Sequence, residues 1–330
     1  MTVQNNMQNK NVLVTGGAGY IGGHLVNELV EAGYNVTVLD NLSTGKKENI
    51  NPNAKFVQGD LSDEIFVKNV LFQGDFSGVF HMAASLEVEE SVKEPLKYFK
   101  NNVENTIHLL EAMEKSGCKK IIFSSSAAVY GETDNKPVSE ISPVHPNNPY
   151  GENKLLAESL IKYFCEYGGF KAVAFRYFNA CGTAEGGKIV SSHSTHLVHN
   201  VLEVARGHKL TLKVFGNDYP TVDGTCIRDY VHVLDIVLPH ILAFEKMENF
   251  ENKFEIFNIG TGKGNSVKEV ANIAVEVLGK VIPMDMEKRR VGDAIQTVAD
   301  NSKMLNVLGY QPSHSSMENI IKTAWNAIQN

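Results

Sequence analysis

The chain is short of the features that mark secreted, membrane-spanning or nucleic-acid-binding proteins. Its four cysteines, Cys118, Cys165, Cys181 and Cys226, include no C-x-x-C pair, a pattern that suits reduced thiols in a cytoplasmic protein. No apolar run approaches the ~20 residues needed to span a bilayer, and residues 1–10 lack the apolar centre of a signal peptide. Positive charge is in deficit, with 31 Lys and Arg against 38 Asp and Glu and a formal net charge of −7. That balance argues against a nucleic-acid partner or an acidic membrane surface. The sequence carries no internal repeat and no low-complexity tract. What remains is 330 residues at 43% hydrophobic content, enough to bury a substantial core in one large or two moderate domains.

Short β-branched runs alternate with helical patterns through the first half. Residues 11–15, 35–39, 55–57, 78–81, 120–124 and 171–176 read as strands, and residues 21–32, 64–71, 96–115 and 153–165 read as helices. Strand and helix in alternation predict an α/β protein with a parallel sheet covered on both faces. After Phe178 the pattern becomes irregular. Segments 182–194, 215–225 and 287–293 look like substrate loops on a smaller lobe, with helices near 195–206, 267–278 and 316–327. The expected division is therefore residues 1–181 as a nucleotide-binding Rossmann domain and 182–330 as a mixed substrate-binding domain, with some later segments returning to the first.

Gly16-Gly17-Ala18-Gly19-Tyr20-Ile21-Gly22 follows the first strand and opens the first helix. Gly16, Gly19 and Gly22 let the backbone turn tightly beneath a pyrophosphate, while the helix N-terminus offers free N–H groups and the positive end of its dipole. Asp40 ends the second strand, where a carboxylate accepts hydrogen bonds from ribose hydroxyls and repels a 2′-phosphate. NAD is therefore expected rather than NADP. Asn41, Ser43 and Thr44 beside it are polar, with no arginine to welcome the extra phosphate. In Gln58-Gly59-Asp60-Leu61, Asp60 reads equally as a partner of the adenine amino group and as an N-terminal helix cap.

Tyr150-Gly-Glu-Asn-Lys154 places a phenol and an amine one helical turn apart. An ammonium near a phenol favours the phenolate and is expected to bring its pKa down toward neutrality. A second copy, Tyr167-Gly-Gly-Phe-Lys171, shows that the pattern alone is weak. The glycines inside that copy end a helix, and the two side chains need not share a face; the pair reads as packing plus a solvated lysine. The first copy follows Pro149 and lies downstream of Ser124-Ser125-Ser126, which ends a strand where ligands of open α/β sheets sit. Ser126, Tyr150 and Lys154 thus form a candidate proton-transfer group acting at a sugar hydroxyl, with Lys154 also holding the nicotinamide ribose.

The glycine loop, this triad and Arg176-Tyr177-Phe178-Asn179 resemble the extended short-chain dehydrogenases/reductases. The block Phe215-Gly216-Asn217-Asp218-Tyr219-Pro220 with Arg228-Asp229-Tyr230-Val231-His232-Val233 is more specific and is similar to the UDP-glucose 4-epimerase family. The resemblance implies NAD-dependent 4-epimerisation of a UDP-hexose through a transient 4-keto sugar, by a homodimer. It also implies a cofactor pocket of Gly16, Gly19, Tyr20, Ile21, Gly22, Asp40, Asn41, Ser43, Thr44, Asp60, Leu61, Met82, Ala83, Ala84, Asn101, Ser124, Tyr150, Lys154 and Tyr177. The UDP-sugar side falls on Ser126, Tyr150, Phe178, Asn179, His196, Leu197, Phe215, Arg228, Arg290, Asp293 and Thr297. Two arginines suit a diphosphate, because guanidinium forks bind its oxygens bidentately; Arg290 also reads as a solvated charge in the run 287–290. Related dehydratases carry an Asp-Glu pair after the active-site hydroxyl residue, whereas Ala127 and Ala128 here cannot transfer protons. The alternatives kept are another NAD-dependent nucleotide-sugar oxidoreductase, a UDP-uronic acid 4-epimerase, and a nucleotide sensor without catalysis.

The sequence also departs from the family. His196 stands where an asparagine often contacts the diphosphate, and Leu86 replaces a lysine found near the cofactor in some members. Thr297 occupies a position that is bulky in members confined to glucose and galactose, and its small side chain is expected to admit an N-acetyl group as well. His193, His196 and His199 tempt a metal reading, but steps of three drift around a helix and no metal is expected.

Overall fold

The computed structural model of the chain describes residues 9–133, 136–191, 196–290 and 294–329. Six strands lie where the apolar runs predict them: β1 (Asn11–Thr15), β2 (Asn35–Asp40), β3 (Lys55–Gln58), β4 (Gly78–His81), β5 (Lys120–Ser126) and β6 (Lys171–Tyr177). A seventh, Phe254–Ile259, was not expected. It returns from the C-terminal half to pair with β6 at one edge. The spatial order is Phe254–Ile259, β6, β5, β4, β1, β2, β3, and every pairing is parallel. Parallel neighbours need crossover connections, which the helices Tyr20–Glu31, Glu64–Gly74, Asn105–Ser116 and Pro149–Tyr167 supply.

Alternate side chains of each strand feed two cores. Val12, Val14, Val38, Phe80, Ile122 and Phe175 pack on one face, and Leu13, Leu39, Val79, Ile121, Phe123 and Ala174 on the other. Strand order reverses at β1, which has β2 on one side and β4 on the other. The carboxyl ends of these strands therefore open a crevice there, the ligand position of doubly wound folds.

The C-terminal lobe is built differently. Leu212–Phe215 pairs with Met284–Glu287, and Ile227–Arg228 lies between Asn265–Ser266 and Gln296–Thr297. The helices Leu197–Ala205, Val267–Leu278 and Met317–Gln329 close over a third core of Val201, Val214, Val270 and Ile320. Ser266 caps the Val267–Leu278 helix in a reciprocal box with Glu269.

Two expectations change. The helix read across 96–115 is continuous but irregular: Pro95–Tyr98 leads into a π-helical stretch, Phe99–Glu104, before Asn105–Ser116. Within it lies Asn102, whose amide accepts from Ser85 N at 2.8 Å and donates to Ser85 O at 2.9 Å. Widened helical turns of this kind often sit at functional sites. The second Tyr-Lys pair also differs from its reading as packing plus a solvated lysine. Tyr167 ends the helix and is 82% exposed, while Lys171 opens β6 and pairs with Glu248 at 2.5 Å.

Among the described residues no helix is long and apolar enough to cross a membrane. All four cysteines are buried free thiols.

Candidate active site

The glycine loop bridges β1 and the Tyr20–Glu31 helix at the crevice. Gly16 has φ +70°, and a Cβ there would lie 2.6 Å from Ala83 N. A Cβ on Gly22 would overlap the Gly16 carbonyl oxygen, so only glycines let the helix start against the loop. No side chain caps the helix at Gly19, and its first turn carries no acidic residue. Its opening N–H groups and positive dipole end thus stay available to an anion. These features fit the pyrophosphate of a dinucleotide.

Asp40 is 8% exposed and partly engaged by the loop itself. Its carboxylate accepts from Ala18 N at 3.0 Å and Leu42 N at 2.8 Å, which ties the end of β2 to the glycine turn. Asp60 is not the helix cap. Asp63 holds that place, accepting from Phe66 N at 3.0 Å. Burial pushes the Asp60 carboxyl up, but hydrogen bonds from Asn41 (2.6 Å) and Ser62 (2.8 Å) outweigh it and hold the group below its ordinary range.

On the other side of the crevice, Pro149 and Tyr150 begin a helix whose cap is Asn148, accepting from Gly151 N at 2.9 Å. Tyr150 and Lys154 both lie within it. The Lys154 ammonium sits 5.9 Å from the Tyr150 ring centroid and donates to Ser124 O at 2.6 Å. Ser126 ends β5, its hydroxyl accepting from Ala128 N at 3.1 Å. The expectation of a lowered Tyr150 pKa is corrected. Burial raises it, opposed by the hydrogen bond from Ser126. The same burial pushes Lys154 down to about 7, with Glu158 opposing. Spacing brings an ammonium near a phenol, but removal of water from both works against charge on either.

The second lobe reaches over with longer side chains. The Arg290 guanidinium lies 3.9 Å from the Phe215 ring centroid and 4.0 Å from Glu89, and it remains exposed to solvent at the mouth of the cleft. Arg228 Nη1 donates to Ile227 O and Ala294 O, both at 2.9 Å. Thr297 pairs in register with Arg228, which puts its small side chain beside that arginine. His196 begins the Leu197–Ala205 helix and meets the Ser191 hydroxyl at 3.1 Å.

One continuous cleft of about 2000 Å³ is lined by every residue the sequence singled out for cofactor or substrate, save one. Asp293 lies outside the described residues, as does His193. Single-ligand pockets run to roughly 1,000 Å³, so this cleft has room for a dinucleotide and a second nucleotide together. Among the described residues no cluster could hold a metal ion.

A family model described as "NAD dependent epimerase/dehydratase family" matches residues 12–260. The chain belongs to this family. It is 46% identical over 321 residues to a UDP-glucose 4-epimerase of Lacticaseibacillus casei, covering 97% of each chain. A crystal structure of UDP-glucose 4-epimerase from Brucella ovis in complex with NAD superposes with a TM-score of 0.92 at 39% identity, covering 96% of this chain and 98% of that one. The UDP-Glc/GlcNAc 4-epimerase of Campylobacter jejuni is similar at a TM-score of 0.85 and 39% identity, covering 96% and 98%.

Sequence reasoning left four site-building residues without a role. Asn102 pins the loop after β4, and an asparagine pair inside a helical pattern was the available signal. Ser125, Glu158 and Arg176 form a buried cluster behind the triad whose members lie far apart in sequence.

Proposed function

We propose that this member of the epimerase family interconverts the C4 epimers of UDP-hexoses using tightly held NAD. The observation that carries the reading is the meeting of Ser126, Tyr150 and Lys154 in a cleft that also contains the glycine cradle. Tyr150 takes the proton from the sugar 4-hydroxyl and returns it after turnover, while Ser126 shares the hydrogen bond to that oxygen. Lys154 contributes positive charge beside the phenol and a grip on the nicotinamide ribose. NAD, when bound, would supply the hydride acceptor for C4. The 4-keto sugar turns over between the two hydride transfers.

Gly16, Gly19, Tyr20, Ile21 and Gly22 would hold the pyrophosphate, Asp40, Asn41, Ser43 and Thr44 the adenosine ribose, and Asp60 and Leu61 the adenine. Met82, Ala83, Ala84, Asn101, Ser124 and Tyr177 would flank the nicotinamide side. Phe178, Asn179, His196, Leu197, Phe215, Arg228, Arg290 and Asp293 would take the UDP. Thr297 leaves room for an N-acetyl group, so we extend the substrates to UDP-N-acetylglucosamine; the Campylobacter jejuni enzyme named for both sugars supports that extension.

The same reading places the protein in the cytoplasm as a homodimer. Four buried free thiols suit a reducing compartment. Exposed Leu156, Tyr163 and Tyr167 form a stripe along one helix, with Leu96 exposed on the short helix packed beside it. Sedimentation equilibrium checks the dimer, and a monomer at micromolar concentration would refute it.

The test of function is direct. Purified protein is given UDP-glucose or UDP-N-acetylglucosamine with no added NAD, and the products are identified. Formation of the 4-epimer without net NADH is expected, and Tyr150→Phe should lose about 10²–10⁴-fold in kcat, the usual worth of a general acid–base. Stoichiometric NADH release would instead assign an oxidoreductase.

A further inference from the structure

Glu158 stands one turn beyond Lys154 on the Pro149–Tyr167 helix, so Tyr150, Lys154 and Glu158 follow one another at i, i+4 and i+8. Its side chain is 3% exposed and does not line the cleft. Each carboxylate oxygen is engaged. Oε1 accepts from Ser125 Oγ at 2.5 Å and Arg176 Nε at 3.0 Å, and Oε2 accepts from Arg176 Nη2 at 2.7 Å. The Arg176 guanidinium in turn lies 4.9 Å from the Tyr130 ring centroid, and the Tyr130 hydroxyl donates to Asn258 at 2.6 Å.

This cluster surrounds the segment that carries the chemistry. Ser125, buried and bonded to Glu158, lies between Ser124, whose carbonyl holds Lys154, and Ser126. Tyr130 closes the turn that follows. A buried ion pair of this kind contributes little to stability against a well-packed apolar replacement, so its presence calls for another role. Resting on the proton-transfer reading of Ser126, Tyr150 and Lys154, we propose that Glu158 is a positioning residue. Through Ser125 its buried carboxylate fixes the strand end that presents Ser126 and the Ser124 carbonyl on which the Lys154 ammonium is seated, one turn away on the same helix.

The charges around Lys154 support this. From its own helix it faces Tyr150 and Glu158. From β4 it faces His81, held between the Thr15 and Thr106 hydroxyls at 2.8 and 3.0 Å, where burial pushes its pKa down to about 3 and leaves it neutral. From β6 come Tyr177, kept protonated by burial, and Arg176, which is directed at Glu158. Glu158, paired with Arg176, is the one carboxylate among these groups, and it opposes the burial that pushes Lys154 down.

The experiment reads Lys154 itself. NMR titration of ¹³C-lysine protein, with the Lys154 signal assigned through Lys154→Arg, gives the ammonium midpoint whether or not the protein turns over a UDP-sugar. Glu158→Gln, the neutral pair Glu158→Gln with Arg176→Gln, and Glu158→Asp are compared with the parent. The single Gln variant leaves Arg176 buried without its partner and is the one most exposed to misfolding; the neutral pair avoids that penalty. In Glu158→Gln the midpoint should fall by about one pH unit; it should fall by less in the neutral pair, where the Arg176 charge is removed as well, and in Glu158→Asp, which withdraws the charge by one methylene. The alkaline limb of the kcat–pH profile should move to lower pH by the same amount, with KM and bound NAD unchanged. A Lys154 midpoint that stays in place in every folded variant overturns the proposal, even if turnover falls. A parent that titrates as described but does not epimerise would refute the functional reading and leave the electrostatic one standing.

Discussion

The two halves of the cleft are built on opposite principles. In the nucleotide half, backbone makes the site: glycine turns, an uncapped helix start and strand ends, all fixed by a seven-stranded sheet with a core on each face. In the other half, side chains make it. Arg228, Arg290, Phe215 and Thr297 reach in from strands of two to four residues and a loop around one smaller core. A backbone site tolerates almost no added atom, because the atoms it would meet cannot rotate away. A side-chain site gives by degrees, because each contact contributes separately and neighbouring loops can adjust.

The largest effect should therefore come from a single methyl group. In Gly22→Ala the new Cβ would overlap the Gly16 carbonyl oxygen, part of the turn proposed to cradle the pyrophosphate. The helix start has to shift away from β1, and with it the N–H groups that face the anion. We expect purified Gly22→Ala to carry less than a tenth of the parent's NAD, measured by absorbance of the acid-released nucleotide. Full NAD occupancy in this variant would show that the backbone half is as forgiving as the other.

That difference in construction also decided how much the sequence revealed. Glycines at 16, 19 and 22, Asp40 at a strand end and the Tyr150–Lys154 spacing are local signals, and local signals survive without knowledge of the fold. The widened stretch Phe99–Glu104 left no local signal, and the contact its Asn102 makes with Ser85 joins different elements. The edge strand Phe254–Ile259 was passed over because it is separated from its partner β6 by the substrate lobe. The Tyr150 pKa was read with the wrong sign for the same kind of reason: spacing shows the ammonium, whereas burial is a property of the finished cleft. Glu158 and Arg176, 18 residues apart, became a pair only when the helix and β6 were laid side by side.

A side-chain contact should yield a smaller and more selective loss. Arg290 is held over Phe215 and within 4.0 Å of Glu89, both partly exposed, so its present ion pair is weak and easily exchanged for a diphosphate. Hydrogen bonds to a charged group contribute about 1.5–3 kcal/mol, which predicts a rise in KM of roughly 10–100-fold for Arg290→Ala by initial-rate kinetics. Bound NAD should match the parent, since nothing in the backbone half is touched. Loss of NAD in Arg290→Ala would mean that the two halves are coupled and that the contrast drawn here is too sharp.

The smallest effect should separate two substrates rather than abolish one. Thr297 lines the cleft in register with Arg228, and its backbone carbonyl accepts from Asp229 N at 3.1 Å. The strand is therefore pinned while the side chain is free to vary in size. A tyrosine there would fill the space beside Arg228 without disturbing the pairing. Pockets discriminate by about 1–3 kcal/mol for a methylene-sized difference, so Thr297→Tyr should lose at least about tenfold in kcat/KM for UDP-N-acetylglucosamine. The value for UDP-glucose, which has only a hydroxyl at C2, should stay within a few-fold of the parent. Measured side by side, an equal loss on both sugars would place Thr297 in general support of the cleft, and an unchanged ratio would remove it from sugar selection.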